Sequence, residues 1–431
     1  MQDFVGFWFR RDLRVQDNHA LFQALGSGSK VIPIFIFDEH ILSDLRDEFD
    51  PRVSFIHQCL SSINSRFLKF NSGLQVYKGK PQELIPEIAE KHNFSALYLN
   101  EDYEPYALDR DAKVKEALNV KGIKFLSFQD HVLVHPNQVL KSDGKPYSVY
   151  TPYFKKWIQS ISRKEEFPSE KSLDALKKLS PRLLALEDLG FKPSKIQVED
   201  FNISKSNLLN YQEERDRPDK DSTSKLSVHL RFGTVGIREV FNAVNGHSET
   251  FLKELAWREF FIQVLHHNPR VVFESFKPKY DRIKWRNDEA EFEKWKQGKT
   301  GFSLVDAGMR QLNTTGWMHN RVRMLVASFL TKHLLIDWRW GEAYFAEKLL
   351  DYELASNNGN WQWAAGSGCD AAPYFRIFNP ITQAEKFDPE GEYRKKYIED
   401  WKQDGYPSQM VNHKEARLRC LETYEEGIKS V

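Results

Sequence analysis

Short apolar runs and helical periodicity alternate through the first 130 residues. Runs of strand length fall at 4–9, 31–37, 74–77, 96–99 and 124–128. Between them, apolar positions recur at helical spacing over 17–25, 51–70, 81–91 and 106–118. Pro81 follows Gly79 closely and suits an early helical position, where a missing N–H costs little. Runs rich in Val, Ile and Phe, separated by helices, predict a doubly wound parallel five-stranded sheet buried on both faces. Such sheets take ligands at the carboxyl ends of their strands. Over 131–200 the periodicity weakens, and Pro, Ser, Lys and Glu accumulate from 163 to 193. This reads as a long connector with some helix. From Ile203 onward helical patterns take over. The expectation is α/β plus all-α: a domain over 1–130, a connector over 131–200 and a helical domain over 201–431.

Composition narrows the class. Hydrophobic residues make up 41% and charged residues 29%, as in a globular protein. The longest apolar runs are far too short to span a membrane. No basic leader precedes a long apolar stretch, so no secretory signal is expected. Cys59, Cys369 and Cys420 lie far apart without a CxxC. That spacing argues against metal ligation and disulfides and fits a reducing cytoplasm. No GxGxxG follows the first strand, and the stretch from Gly73 to Lys80 lacks P-loop spacing. Net charge is only +1, yet residues 221–340 hold 19 Lys and Arg against 13 Asp and Glu. A local excess of six can be a footprint for phosphate or simply a solvated helical surface. Nine of the eleven Trp residues lie within 251–431, which gives that part an unusual store of aromatic rings.

Four segments concentrate chemistry there. In 317–324, one expected helix sets Trp317, Asn320, Arg321 and Met324 on a single face. A planar amide, a forked cation and a thioether seldom share a purely structural stripe, although a capped core helix with an Arg ion pair is the alternative. In 351–363, helix past Asn357 aligns that residue with Trp361, and Asp351 can pair with Arg323. An Asn both donates to and accepts from the edge of a heteroaromatic ring. In 251–261, Glu254, Trp257 and Arg258 share one helical side. Finally, Ser222-Thr223-Ser224-Lys225-Leu226-Ser227 precedes a helical run. It offers hydroxyls and amides to a phosphate, or a plain N-cap.

Together these stretches resemble the cryptochrome/DNA photolyase family, most closely its class I cyclobutane pyrimidine dimer branch. The likeness opens on Trp8-Phe9-Arg10-Arg11-Asp12-Leu13-Arg14-Val15-Gln16-Asp17-Asn18. It continues through Leu226-Ser227-Val228-His229-Leu230-Arg231-Phe232-Gly233, Lys299-Thr300-Gly301-Phe302 and Asp306-Ala307-Gly308-Met309-Arg310. It closes on Asp370-Ala371-Ala372-Pro373-Tyr374-Phe375-Arg376-Ile377-Phe378-Asn379-Pro380. The resemblance implies light-driven repair of pyrimidine dimers in ultraviolet-damaged DNA by a helical domain that holds a folded FAD. By the same resemblance, Tyr211, Thr223, Ser224, Leu226 and Ser227 hold the FAD phosphates and ribityl chain. Arg323 and Asp351 pair beside the isoalloxazine, with Glu353 on the same loop, and Asn357 sits at its N5. Glu254, Trp257, Asn320, Arg321 and Met324 line the dimer pocket. Arg215, Arg258, Arg376 and Gln383 contact DNA or the rim. Trp361, Trp338 and Trp285 match the family's electron-carrying chain, and a monomer is expected.

Some positions depart from the family pattern. Glu353 stands where many relatives have Asp, and Phe251 where Trp is common. Tyr103-Glu104-Pro105-Tyr106-Ala107 lacks the Asn-Glu pair of some folate-binding members, so an antenna chromophore is possible but unidentified. A cryptochrome-type blue-light receptor is the rival reading, and the complete set of pocket residues speaks against it. Trp317-Met318-His319-Asn320 replaces the His-containing segment of (6-4) enzymes, and three cysteines are too few for the iron–sulfur relatives. A non-catalytic single-strand binder leaves Arg323, Asp351 and Asn357 without a purpose.

Overall fold

The computed structural model describes residues 4–161, 165–220, 222–399, 401 and 405–429. Residues 162–164, inside the expected connector, lie outside that set. The chain forms two compact units. One comprises Met1–Gln138, Ile158–Ile203 and Lys225–Asn245; the other comprises Val139–Trp157, Ser204–Ser224 and Gly246–Val431.

The first unit is built on β1 (Phe4–Phe9), β2 (Lys30–Asp38), β3 (Gln75–Gly79), β4 (Phe94–Asn100) and β5 (Lys124–Phe128). All pairings are parallel and the spatial order is β3-β2-β1-β4-β5. The most continuous apolar runs, in β1 and β2, are almost wholly buried, as a central strand covered on both faces requires. The longer intervening helices are His19–Leu25, Pro51–Leu68, Pro81–Lys91 and Pro105–Val120. Asn18 caps the first by accepting from the Leu21 amide, and Asp50 caps the second ahead of Pro51. Pro81 is the first residue of the third.

The charged motif after β1 is a buried polar network. Arg14 Nη2 lies 2.7 Å from Asp130. Arg238 reaches Asp17 at 2.7 Å and Asp130 at 2.5 Å. Asn100 donates to Asp12 at 2.6 Å and to Asn18 at 2.8 Å. Burial pushes the Asp17 carboxyl up despite its Arg238 and Arg14 partners. At Asp130 the two guanidiniums outweigh burial and hold the carboxyl well below the usual range. These residues therefore secure the fold of the first unit, fastening 225–245 to the sheet.

Residues 158–203 also belong with this sheet. Leu176 bridges to Val31 and Arg182 to Gln75, both in parallel sense. Gly73 permits the close approach of Pro181, whose nitrogen lies 2.3 Å from where a Cβ would stand. The second unit is helical. Among the described residues no helix is long and apolar enough to cross a membrane.

Candidate active site

The helix Glu249–His267 begins at Ser248, whose hydroxyl accepts from the Phe251 amide. Five residues in, it presents Glu254, Trp257 and Arg258. Arg215, which ends the helix Lys205–Glu214, donates from Nη1 to Glu254 Oε1. Burial opposes the charge on Arg215, but Glu254, Tyr211 and Asp216 together outweigh it and hold the guanidinium above its ordinary value. The next residue, Asp216, accepts from Arg321 Nη2 at 2.7 Å and Nε at 3.2 Å. Arg321 in turn lies 4.4 Å over the Phe387 ring and 3.8 Å from Met324 Sδ. Glu254, Arg215, Asp216, Arg321 and Met324 thus form one continuous chain of contacts. Gln383 stands one turn before Phe387 on the helix Pro380–Phe387. Arg258 Nη2 meets the buried Glu353 at 3.2 Å. Arg376 is exposed, and Lys332 Nζ holds its main-chain carbonyl at 2.9 Å.

The segment 317–324 is not one helix. Gly316 closes the preceding helix with φ 68°, so Trp317 and Met318 bridge two helices, and the next begins at Asn320 with His319 as its cap. Trp317 therefore leaves the expected face, while Asn320, Arg321 and Met324 keep their helical spacing. Asn320 is exposed. Arg323 donates from Nε to the Met318 carbonyl at 2.7 Å and takes Asp351 in a two-pronged pair at 3.2 and 2.8 Å. The Asp351 side chain is 3% exposed and that of Arg323 24%.

Past Asp351, Glu353 opens the helix Leu354–Ala365. Asn357 and Trp361, one turn apart, are both buried. Asn357 Nδ2 donates to the Glu342 carbonyl at 3.1 Å, which leaves the amide oxygen uncommitted among the described residues. Gly359 lets this helix close on Phe261, since a Cβ there comes within 2.1 Å of its ring. Gly341 does the same under Trp361, again at 2.1 Å. Burial lifts the neighbouring Glu342 carboxyl from 4.5 to about 7. A carboxyl raised on folding stabilises fully below its unfolded pKa and loses that contribution as pH climbs through the folded one. Between about pH 5 and 8 the protein should therefore lose thermal stability relative to Glu342→Gln, which stays neutral. Melting both proteins across that window checks this, and parallel curves contradict it.

Trp338 and Trp361 belong to one buried cluster, and Trp285 packs against its edge, partly exposed. The Arg339 guanidinium lies 4.7 Å over Trp338. Tyr211 packs on Phe251 with ring centroids 4.8 Å apart. Ser222 ties its segment back to the Glu214 carbonyl at 3.2 Å. Thr223 and Ser224 are half-buried. In the first unit Lys225, at φ 55°, opens the helix Leu226–Phe232, with Leu226 buried and Ser227 exposed.

Sequence reasoning missed Tyr150, Asp216, Lys332 and Glu342. The alternation Arg215-Asp216-Arg217 could have exposed Asp216. Nothing local marked Tyr150, whose partner lies 107 residues away.

A parallel sheet in one unit, and in a helical unit an Arg–Asp pair followed by a helix that buries an Asn and a Trp, make this a two-unit protein of the α/β plus all-α class. A family model described as DNA photolyase matches residues 5–172, and one described as the FAD binding domain of DNA photolyase matches 251–404. A deoxyribodipyrimidine photo-lyase of Halobacterium salinarum is 37% identical, over 98% of each chain. The crystal structure of a bacterial class III photolyase from Agrobacterium tumefaciens superposes with a TM-score of 0.89 at 34% identity, over 100% of this chain and 98% of that one. A Synechocystis cryptochrome gives a TM-score of 0.85 at 27% identity, over 98% of this chain and 99% of that one. The chain belongs to the DNA photolyase family.

Proposed function

We propose that this chain is a light-driven repair enzyme for cyclobutane pyrimidine dimers, with FAD in its helical part and ultraviolet-damaged DNA as its substrate. One observation carries the reading: Asn357 gives one amide N–H to the Glu342 carbonyl, and among the described residues no donor reaches its oxygen. An acceptor oxygen suits a ring nitrogen that carries hydrogen, which is the state of N5 in a reduced flavin. When bound, reduced FAD supplies the photoexcited electron that opens the cyclobutane ring and receives it back. Arg323 and Asp351 fix the charge around the isoalloxazine, with Glu353 beside them. Tyr211, Thr223 and Ser224 hold the phosphates and ribityl chain.

A dimer inside a duplex is out of reach, and a damaged site flips out more cheaply than a sound one. Trp257 stacks the flipped bases, which returns about 1–3 kcal/mol per base. Glu254 accepts a hydrogen bond from a base edge, while Asn320 and Met324 close the pocket. Arg215, Arg258, Arg321, Arg376 and Gln383 contact the DNA backbone or the rim, and their cations make binding salt-dependent. The enzyme acts as a monomer in the cytoplasm. An absorption spectrum of the purified protein before and after denaturation tells whether a second, light-gathering chromophore accompanies FAD and which one it is.

Trp361, Trp338 and Trp285 carry electrons inward from the surface to restore the reduced cofactor. Trp338→Phe should therefore spare repair by pre-reduced enzyme and block photoreduction; loss of both activities overturns that role. The reading as a whole is tested by illuminating FAD-loaded, reduced protein with irradiated DNA. Dimers should disappear in blue light and persist in the dark, and (6-4) lesions should be untouched. Persistence of dimers in light decides for the receptor.

A further inference from the structure

The platform residue Trp257 has a partner behind it. Tyr150, at the start of the helix Tyr150–Ser160, lies flat on the indole with ring centroids 3.7 Å apart and planes 4° from parallel. Phe260 meets both rings edge-on, at 5.5 Å from Trp257 and 5.9 Å from Tyr150. Tyr150 is 8% exposed, so this stack is sealed from solvent on the tyrosine side, whereas Trp257 remains half-buried.

Two hydrogen bonds fix the tyrosine. Its hydroxyl donates to the Lys253 carbonyl at 2.7 Å. Lys253 lies four residues before Trp257, so this carbonyl is the one that the Trp257 amide addresses in a helix. Tyr150 thus grips Trp257 through its ring and through the turn that carries it. Its own amide donates to Asp370 Oδ2 at 3.0 Å. Asp370 holds the left-handed φ of 49° and begins the segment that bears Arg376. Further along, Trp157 Nε1 donates to Glu259 at 2.7 Å, keeping the two helices in register.

We propose that Tyr150 is a positioning residue for damage recognition, setting the plane of Trp257 so that its other face receives the flipped bases. This rests on the reading of Trp257 as the stacking platform. A free indole has rotamers to lose on binding a base, and a ring already clamped has fewer. The clamp therefore serves stacking and leaves phosphate contacts alone. It favours damaged over undamaged DNA and does not tighten both.

The test measures affinity for a duplex with one thymine dimer and for its undamaged counterpart, using FAD-loaded protein in the dark. Trp257→Ala comes first; unless it weakens dimer binding selectively, the platform reading itself fails. Given that loss, Tyr150→Leu should raise the dimer Kd about tenfold and leave the undamaged Kd within about twofold. Tyr150→Phe, which keeps the ring, should restore dimer binding to within about threefold of the parent. The double variant Tyr150→Leu with Trp257→Ala should bind dimer no more weakly than Trp257→Ala alone. Tyr150→Met serves if Tyr150→Leu fails to fold. Unchanged dimer affinity in the leucine or methionine variant overturns the inference, as does a further full loss in the double variant.

Discussion

Arg323→Ala should purify folded but largely without FAD. Among the described residues the guanidinium is the only side chain that pairs with the Asp351 carboxylate, itself 3% exposed. Removing one member of a buried pair strands the other charge, at a cost of about 3–5 kcal/mol. Arg323 is itself partly open to solvent, so the lower end applies, about 3 kcal/mol. The Met318 carbonyl loses its donor in the same step. Thermal melting reads the stability loss, and the ratio of flavin to protein absorbance reads occupancy. Adding Asp351→Asn should recover much of the stability, because no stranded charge remains, and little of the flavin. A full complement of FAD in Arg323→Ala would remove the pair from the cofactor site.

Arg238→Met should destabilise the first unit more than any surface substitution. Asp17 and Asp130 share that guanidinium, and their side chains are 0% and 2% exposed. Two carboxylates lose a partner together, although Arg14 still reaches Asp130. A loss of about 3–5 kcal/mol is expected, and it should appear as an early melting transition. Asp17→Asn combined with Arg238→Met should cost less than the separate losses added together, since the two residues are directly coupled. Strict additivity would mean that the network is no more than a set of neighbours.

The sheet was legible because its runs are dense in Val, Ile and Phe and end at charged or glycine residues. β1 and β5 begin and end where the pattern places them. β3 instead runs to Gly79, because Lys78 and Gly79 pair with Phe37 and Asp38, and backbone pairing leaves no mark in apolar periodicity. The stretch 139–203 was opaque for the same reason. Its placement depends on partners far along the chain, such as Val31 for Leu176. At the site, helical spacing correctly aligned Asn357 with Trp361 and Glu254 with Trp257. It failed at Trp317, where the left-handed Gly316 stops the earlier helix and the next has yet to start. Arg323 and Asp351 were matched by charge. Tyr150 was not, because a stacking partner has no sequence period.

The central claim is that reduced flavin lies close enough to a flipped dimer to hand it an electron. Emission lifetime of the reduced FAD tests that contact directly, with duplex added in the dark and a single weak excitation pulse. Dimer-containing DNA should shorten the lifetime markedly while undamaged DNA leaves it unchanged. An unaltered lifetime with dimer DNA demonstrably bound would contradict the account.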